Sequence, residues 1–534
     1  MRTIYTLCFV ILCVFGVVAI GGWKNSSSIP PLASISESTA REHLAYLASN
    51  EMRGRNTPSP ELEIAADYIA EQFKKYGLEP VQGSYFHTYN VYKTNLSMMP
   101  ILRLAIGDSI IDIIVKTDFS PHDNTGSAQL TDKKLVFVGY GISAPEHGYD
   151  DYAGMDVQGK IVVMMRSAPR AEDTSSVFSW RKGGMRYMST EAKAARAAKA
   201  GAVGMILFGE PSRGMRLRAS NWPSLNPLLS TNDLPVKLKS QKDSPTAQFP
   251  IAYCGEKVAR VIFGASDNLK STQKTIDSLF KPNSYDIATC TLNEINISTS
   301  EEKFTVRNVV GMVKGSEKPE EFVVVGGHYD HVGYNNPNNP EKDSIFNGAD
   351  DNASGTTGIL LMAEGFAKSK EKPKRSMLFI AFSGEEKGLL GSQAFTETPP
   401  INLANCVAML NMDMIGRIVG DSLCIGGNTR CRELTVINEQ ENKLLDKPYA
   451  LHYTIENYFF RSDQANFAKK KIPVLFYFTG EHADYHKVGD EISKIDFPNL
   501  VEITKLCSRT AWNVANLEGR LPYTPQANDA TTPH

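Results

Sequence analysis

The chain has no excess of charge of either sign. Its 534 residues carry 57 Lys and Arg against 59 Asp and Glu, which gives a formal net charge of -2. Binding to a nucleic-acid backbone relies on an excess of basic side chains. We therefore expect no nucleic-acid partner.

Cysteine is also scarce. The chain has eight cysteines, of which Cys8 and Cys13 lie near the N-terminus; the others are scattered, with no Cys-x-x-Cys and no zinc-finger spacing. They could form one or two disulfides in an oxidising compartment, but no pairing follows from the sequence. We expect most of them to be small residues of the core.

Long apolar runs are rare, and the one that approaches membrane length extends from Ile4 to Ile20. Small residues follow it, with a cleavage pattern at Ala19-x-Gly21. Residues 1–22 are therefore predicted to be a signal peptide, or an uncleaved N-terminal anchor, since the run is of intermediate length. Both alternatives predict an exported protein, periplasmic, secreted or associated with the cell envelope, that contacts a membrane only through this segment if it is uncleaved.

The length of the chain exceeds one simple core, so two domains are expected and three could be present. Two helices within residues 37–77 belong to the first part of a main domain, 37–105. Residues 106–288 alternate short apolar strands with long loops and are predicted to be an inserted, strand-rich module. Residues 289–518 complete the main domain, and the tail 519–534 is predicted to be disordered.

From about residue 304 onwards, continuous apolar strands alternate with amphipathic helices, as in "EFVVVGG" and then "SGTTGILLMAEGFAKS". Strands that are apolar throughout are typical of a parallel sheet covered on both faces. We predict an α/β fold with a mostly parallel sheet and helices on both faces. The helices within 37–77 can pack on that same sheet.

The ends of these strands lack a Gly-rich phosphate loop and a Ser nucleophile elbow, and carry imidazoles and carboxylates instead. The candidates after the strands are His328, Asp330, His331, Glu385, Glu386, Asp413, His482, Asp484 and His486, and Asp350 and Asp351 precede the helix that starts near residue 354. Because the carboxyl ends of parallel strands meet at one edge, these groups are expected to lie together. Oxygen and imidazole ligands suit zinc, with manganese or cobalt as substitutes, and their number indicates two metals bridged by one carboxylate. One of the two adjacent glutamates would bind metal and the other would act as a base.

The motifs "GGHYDH", "NGADDNASG", "SGEEKGLLGS", "NMDMIGR" and "DYH" resemble those of the secreted di-zinc aminopeptidases, whose relatives include glutamate carboxypeptidase II, glutaminyl cyclase and the transferrin receptor. The stretch "LVFVGYGISAPEHGYDDYAGMDVQGKIVVM" resembles the protease-associated (PA) domain inserted in many of them. The resemblance covers roughly residues 37–515. It implies a zinc exopeptidase fold, two zinc ions per chain and peptide substrates.

The resemblance also implies a role for each matching residue. The implied metal ligands are His328, Asp351, Glu386, Asp413 and His486, with Asp351 as the bridge. The implied catalytic residues are Glu385 as general base, Asp330 as the group that orients His328, and Tyr485 as a hydroxyl that stabilises the oxyanion. Asp350 is expected behind the ligands, and His331 and His482 are expected to be pocket or loop residues.

One position departs from the family pattern, since Gln464 stands where many relatives have His; this puts substrate contacts near the cleft in doubt. The leading interpretation is an exported aminopeptidase, and three alternatives stay open. A carboxypeptidase would need basic residues, which the Arg-bearing loops at 181–218 could provide. A glutaminyl cyclase of this family uses a single zinc, whereas all five ligand positions are filled here. An inactive binding protein would have lost ligands. Neither side-chain preference nor oligomeric state follows from the sequence.

Overall fold

The computed structural model describes residues 32, 34–179, 184–217, 222, 224–226, 235–335, 343–526 and 529. The predicted signal peptide or anchor, 1–22, lies outside these residues. No helix in the described part of the chain is both long and apolar enough to cross a membrane.

Strands and helices are numbered along the chain. The strands are β1 (Glu79–Pro80), β2 (Phe86–Leu96), β3 (Ile101–Ile106), β4 (Ser109–Ile113), β5 (Phe119–Pro121), β6 (Ala128–Val138), β7 (Ser143–Ala144), β8 (Tyr149–Asp150), β9 (Ile161–Met165), β10 (Gly204–Phe208), β11 (Val236–Lys237), β12 (Ile251–Cys254), β13 (Ser284–Ile297), β14 (Thr299–Val313), β15 (Lys318–His328), β16 (Arg375–Phe382), β17 (Cys406–Met412), β18 (Ser422–Gly426), β19 (Ala450–His452) and β20 (Val474–Phe478). The α-helices are α1 (Glu37–Leu47), α2 (Pro60–Tyr76), α3 (Met185–Met188), α4 (Thr190–Lys199), α5 (Glu256–Phe263), α6 (Ser266–Leu279), α7 (Gly355–Lys368), α8 (Leu390–Glu397), α9 (Arg432–Asn442), α10 (Gln464–Lys469) and α11 (Phe497–Asn516).

The first sheet has ten strands in the order β11-β2-β14-β16-β15-β17-β20-β18-β19, with β1 paired to β14. Its centre, β16-β15-β17-β20, is parallel. All eight residues of β16 and all seven of β17 are buried, which explains why these strands are mostly apolar. The predicted parallel sheet is confirmed for this centre, while β2 and β14 on one side and β18 on the other pair antiparallel.

Helices cover both faces of the sheet, as predicted. Apolar side chains of α1, α2, α7, α9 and α11 share one core with the sheet, and Phe395 of α8 packs with Phe467 of α10 in a second core. The sequence fixes both ends of α2. Its N-cap Ser59 accepts a hydrogen bond from the Leu62 amide, and Gly77 ends the helix with φ of 87°, a left-handed conformation that glycine adopts without strain.

The second sheet has eight strands in the order β4-β3-β13-β6-β9-β10-β12-β5, with β6-β9-β10-β12 parallel. It has its own hydrophobic cores. The insert was predicted to span 106–288, whereas strands of this sheet begin at Ile101 and end at Ile297. The two strands at the boundary, β3 and β13, pair with each other in this sheet. The sequence pattern at the domain boundary could not indicate this pairing. β11, although it lies inside the inserted segment, pairs with β2 of the first sheet.

The predicted disorder of 519–534 does not hold for the residues that the structure describes there, 519–526 and Asp529. The Thr524 amide donates a 2.7 Å hydrogen bond to the Arg430 carbonyl, and the Tyr523 hydroxyl donates one of 2.6 Å to Asp529. Arg430 forms an ion pair of 2.8 Å with Asp529. These contacts fix this segment against the main domain. The six cysteines of the described residues are all free thiols, and five of them are buried.

Candidate metal centre

The candidate residues come from the ends of neighbouring parallel strands. His328 is the last residue of β15. Glu385 and Glu386 come shortly after the end of β16, which is a neighbour of β15 in the sheet, and Asp413 directly follows β17. The segment with Tyr485 and His486 follows β20. The expected meeting of these groups at one edge of the sheet is therefore observed.

Two groups of side chains converge there, each with ligand atoms that all lie within 4.8 Å of one another. One group is His331, Asp351, Glu386 and His486, and the other is His328, Asp351 and Asp413. Asp351 belongs to both. Its Oδ1 lies 3.4 Å from His328 Nε2, and its Oδ2 lies 3.1 Å from His486 Nε2. The two oxygens of this carboxylate thus face imidazoles of different groups.

The second contacts of each imidazole complete the groups. His328 Nε2 lies 3.4 Å from Asp413 Oδ1, and His486 Nε2 lies 3.1 Å from Glu386 Oε2. His331 Nδ1 lies 2.9 Å from Glu386 Oε1. His331 is fully buried, so it is a pocket residue, and its place in the four-membered group was not predicted.

These residues fit metal ions. His328 Nε2, Asp413 Oδ1 and His486 Nε2 are buried and have no hydrogen-bond partner among the described residues. A buried polar atom without a hydrogen-bond partner destabilises a fold. Three such atoms, from three separate segments of the chain, lie within a few ångströms of one another here. Imidazole nitrogens and carboxylate oxygens form the donor set that zinc prefers when thiolates are absent.

The electrostatics of the cluster follow from burial and from neighbouring charges. Burial alone would lower the pKa of His328, but the carboxylates of Glu385 and Asp413 outweigh it and raise this pKa well above its ordinary value. Burial raises the pKa of Glu385 well above that of an exposed glutamate, against the opposing effect of His328. The largely buried carboxylates of Asp351, Glu385, Glu386 and Asp413 thus form a site that favours positive charge.

Asp351 is placed by the residue that follows it. The Asp351–Asn352 peptide bond is cis. The Asn352 side chain donates to the Met412 carbonyl (3.0 Å) and accepts from the amides of Gly355 (2.9 Å) and Met414 (3.2 Å). These bonds tie the turn before α7 to the end of β17, which brings Asp351 beside Asp413.

Glu385 lies at the cluster but belongs to neither group. Its Oε2 is 3.9 Å from His328 Nε2, and its amide donates a 3.1 Å hydrogen bond to Asp330 Oδ1. Asp330 also accepts from Thr57 Oγ1 at 2.9 Å. The His328 ring nitrogen Nδ1 lies 3.1 Å from the Asp330 carbonyl and 3.7 Å from its carboxylate. Asp330 therefore contacts both the base candidate and the ligand that it was predicted to orient.

Tyr485 stacks on His486, with ring centroids 3.9 Å apart. The preceding Asp484 binds Arg417 at 2.7 Å and Lys494 at 2.9 Å, which holds the segment against the rest of the domain. His482, assigned to no metal, lies 3.3 Å from Asp350. Asp350 belongs to neither group, as expected.

Sequence reasoning missed two buried charges behind the cluster. The Asp490 carboxylate accepts hydrogen bonds from the amides of Asp350 (3.0 Å) and Asp351 (3.0 Å). The Arg55 guanidinium donates to the carbonyls of Tyr329 (2.8 Å), Asn347 (2.8 Å), Gly348 (3.1 Å) and Leu47. Both side chains are fully buried. Asp490 could have been identified as a candidate because it is a charged residue close to the "DYH" motif. No motif lies near Arg55 to indicate its role.

A cleft opens beside the cluster, lined by Asp351, Glu385, Asp413, Met414, Tyr458, Arg461, Ser462, Phe476, Phe478, Glu481 and Tyr485. Gln464 is not among these residues. It is fully buried, accepts from Asn411 Nδ2 (2.8 Å) and donates to the Phe459 carbonyl (2.6 Å). The departure at this position thus affects internal packing, and the expectation of altered substrate contacts is not supported.

Comparison with known families assigns both parts of the chain. Residues 308–511 match peptidase family M28, and residues 129–244 match the PA domain. Residues 308–511 of the main domain therefore belong to an M28 peptidase domain, and residues 129–244 of the insert belong to a PA domain.

Individual relatives agree with this assignment. The structure of an aminopeptidase from Aneurinibacillus sp. strain AM-1 superposes with a TM-score of 0.56 at 19% identity, over 93% of this chain and 98% of that chain, which shows a common fold. A probable zinc metalloprotease of Pyrenophora teres f. teres is 42% identical over 111 residues, 21% of this chain and 23% of that protein. A probable glutamate carboxypeptidase AMP1 of Arabidopsis thaliana is 25% identical over 80% of this chain and 57% of that protein. The chain thus matches about a quarter to just over half of the length of these two relatives.

Proposed function

We propose that this chain, a zinc metallopeptidase by its M28 domain, is an exported aminopeptidase that removes N-terminal residues from peptides with the help of two zinc ions. The observation that carries the proposal is the position of Asp351. The Asp351 carboxylate is shared by the two ligand groups, and Glu385, the neighbour of the ligand Glu386 in sequence, belongs to neither group. This arrangement separates metal binding from proton transfer.

The residues divide naturally between two ions. His328 and Asp413 would hold one zinc and Glu386 and His486 the other, with Asp351 between them. His331 is within reach of the second ion as a further ligand. Zinc supplies Lewis acidity, which lowers the pKa of water and polarises a carbonyl oxygen.

Glu385 is the proton carrier of the proposed reaction. It lines the cleft, its carboxylate side chain is 9% exposed, and the Asp330–amide bond fixes its backbone. Its carboxylate accepts the proton of the attacking water and passes it to the departing amine. Its position at the cleft and beside His328 lets the same carboxylate serve both steps.

Tyr485 is placed to act on the substrate carbonyl. Its ring lines the cleft, and stacking on His486 limits its orientation. The hydroxyl can donate a hydrogen bond to the oxygen that becomes negative when water adds to the carbonyl carbon.

The charges of the cleft favour an N-terminal substrate end over a C-terminal one. Carboxylates of Asp351, Glu385 and Asp413 line it, and the basic residue among its described lining is Arg461. Arg461 forms a 3.0 Å ion pair with Glu481, so its charge is already balanced. No described residue of the loops at 181–218, suggested as a carboxylate grip, lines this cleft. The described lining of the cleft thus offers a terminal carboxylate no unbalanced basic side chain, which favours the N-terminal end of a substrate.

The test uses the chain without residues 1–22. Zinc per chain is measured by elemental analysis, and amino-acid release is measured from three matched peptides: free, N-acetylated and C-amidated. We expect about two zinc ions, loss of cleavage on N-acetylation, and cleavage that survives C-amidation. Cleavage blocked by C-amidation would identify a carboxypeptidase, one zinc with ammonia release from N-terminal Gln would identify a cyclase, and the absence of both reactions would identify a binding protein.

Export is proposed from the apolar segment Ile4–Ile20. N-terminal sequencing of protein recovered from the envelope and the medium of expressing cells tests it. A new N-terminus close to residue 22 outside the cytoplasm supports export, and a full-length cytoplasmic protein contradicts it.

A further inference from the structure

The cleft beside the metal centre has apolar walls and a charged rim. Phe476 and Phe478 stack with ring centroids 5.4 Å apart, and Tyr458 lies 5.5 Å from Phe478. Met414 lines the same space. A substrate side chain that enters from the metal centre therefore meets aromatic surface first.

The rim carries two opposite charges that are bonded to each other. Arg461 Nη1 lies 3.0 Å from Glu481 Oε1, and the two side chains are 50% and 36% exposed. The Tyr458 hydroxyl donates a 3.3 Å hydrogen bond to Glu481 Oε2, and the Arg461 guanidinium lies 4.9 Å from the centre of the Tyr458 ring. Tyr458 thus contacts both members of the pair and holds them at the apolar wall.

We propose, building on the proposed aminopeptidase function, that Arg461 and Glu481 neutralise each other at the rim and thereby keep the cleft selective for large uncharged N-terminal residues. The pair is neutral as a unit. A basic substrate side chain finds Glu481 already occupied and Arg461 repulsive, and an acidic side chain meets the reverse.

This reasoning predicts how the preference changes when one charge is removed. Without Arg461, the Glu481 carboxylate is left beside the aromatic wall and can bind a Lys or Arg side chain of the substrate. Without Glu481, the freed guanidinium can bind an Asp or Glu side chain. Removal of both charges restores an uncharged rim, so the two changes are coupled and not additive.

The experiment compares the wild type with Arg461→Gln, Glu481→Gln and the double variant on leucyl, arginyl and glutamyl amides. The measured quantity is the ratio of kcat/KM for a charged amide to kcat/KM for the leucyl amide. Arg461 also lies 3.4 Å from the Tyr485 hydroxyl, and any loss of rate common to all substrates cancels in this ratio. As a control, Arg432→Gln removes an exposed pair with Glu439 on α9, away from the cleft lining.

We expect Arg461→Gln to raise the arginyl-to-leucyl ratio by about fivefold, the effect of one partly exposed charge pair. Glu481→Gln raises the glutamyl-to-leucyl ratio similarly, and the double variant and the control keep both ratios near those of the wild type. Ratios that stay within about twofold of the wild type, or that move in the opposite directions, overturn the inference while leaving the aminopeptidase intact. Inactivity of the wild type towards every amide would instead refute the proposed function and this inference with it.

Discussion

The adjacent residues Glu385 and Glu386, proposed as base and as metal ligand, allow the most specific test of the site. We predict that Glu385→Gln keeps its zinc and loses turnover, whereas Glu386→Gln loses zinc. The structure supplies the reason. Glu386 lies 2.9 Å from His331 and 3.1 Å from His486 within the four-membered group, while the closest imidazole nitrogen to Glu385 is 3.9 Å away and Glu385 belongs to neither group.

The size of the effect follows from the role. General-base catalysis contributes roughly 10²–10⁴-fold, so Glu385→Gln should raise the activation barrier by about 3–5 kcal/mol. Glutamine keeps the shape of the side chain, and the backbone bond from residue 385 to Asp330 does not depend on the carboxylate. Zinc content should therefore stay at the wild-type value, while Glu386→Gln should hold about one ion fewer.

The assay measures zinc per chain by elemental analysis and kcat on leucyl amide for both variants and the wild type, with thermal unfolding as a check on folding. Zinc loss in Glu385→Gln would show that this residue is a ligand. Turnover within about tenfold of the wild type would show that it is not the base. Each result contradicts a different part of the reasoning.

Three further perturbations test other parts of the molecule. Asp351→Ala should lower zinc affinity at both sites because both groups share this carboxylate, and two tightly held ions in equilibrium dialysis would contradict the bridge. Arg55→Met should lower the free energy of unfolding by about 3 kcal/mol or more, because four carbonyls lose their donor; denaturant titration measures it, with exposed Arg41→Met expected to cost little. Burial lowers the pKa of Lys193 from 10.5 to about 7, so the unfolded chain binds more protons between these values and this residue's contribution to stability improves as pH rises. The free energy of unfolding of the wild type minus that of Lys193→Met should therefore increase from pH 7 towards pH 10, and a constant difference would contradict the lowered pKa.

Much of the main domain could be predicted because its signals are local. Continuous apolar strands such as β16 and β17 occur where both faces of a sheet are covered, and the residues that follow them lie at one edge by the geometry of parallel strands. This geometry predicted that His328, Glu386 and Asp413 lie together, whereas the ligand role of Asp351, which precedes α7, was predicted from the family resemblance.

The rest depends on contacts between distant parts of the chain. Arg55 binds the carbonyl of Tyr329, 274 positions away, and nothing near Arg55 marks this partner. His331 was left out of the predicted ligands because its imidazole meets Glu386 only after two strands have paired. The predicted ends of the insert were wrong because the sequences of β3 and β13 do not indicate which of the two sheets these strands join. Only their pairing with each other shows that they belong to the second sheet.

The two-residue strand β11 limits how far the two domains can be treated as exchangeable modules. It lies within the stretch that matches the PA domain, yet Val236 and Lys237 pair with Tyr92 and Lys93 of the peptidase sheet. A graft that replaces the whole insert would carry this strand away and expose the edge of β2 to other chains. Recombination between relatives is thus constrained to keep a piece of one domain inside the sequence of the other, and chimeras should be designed with residues 236–237 retained by the recipient.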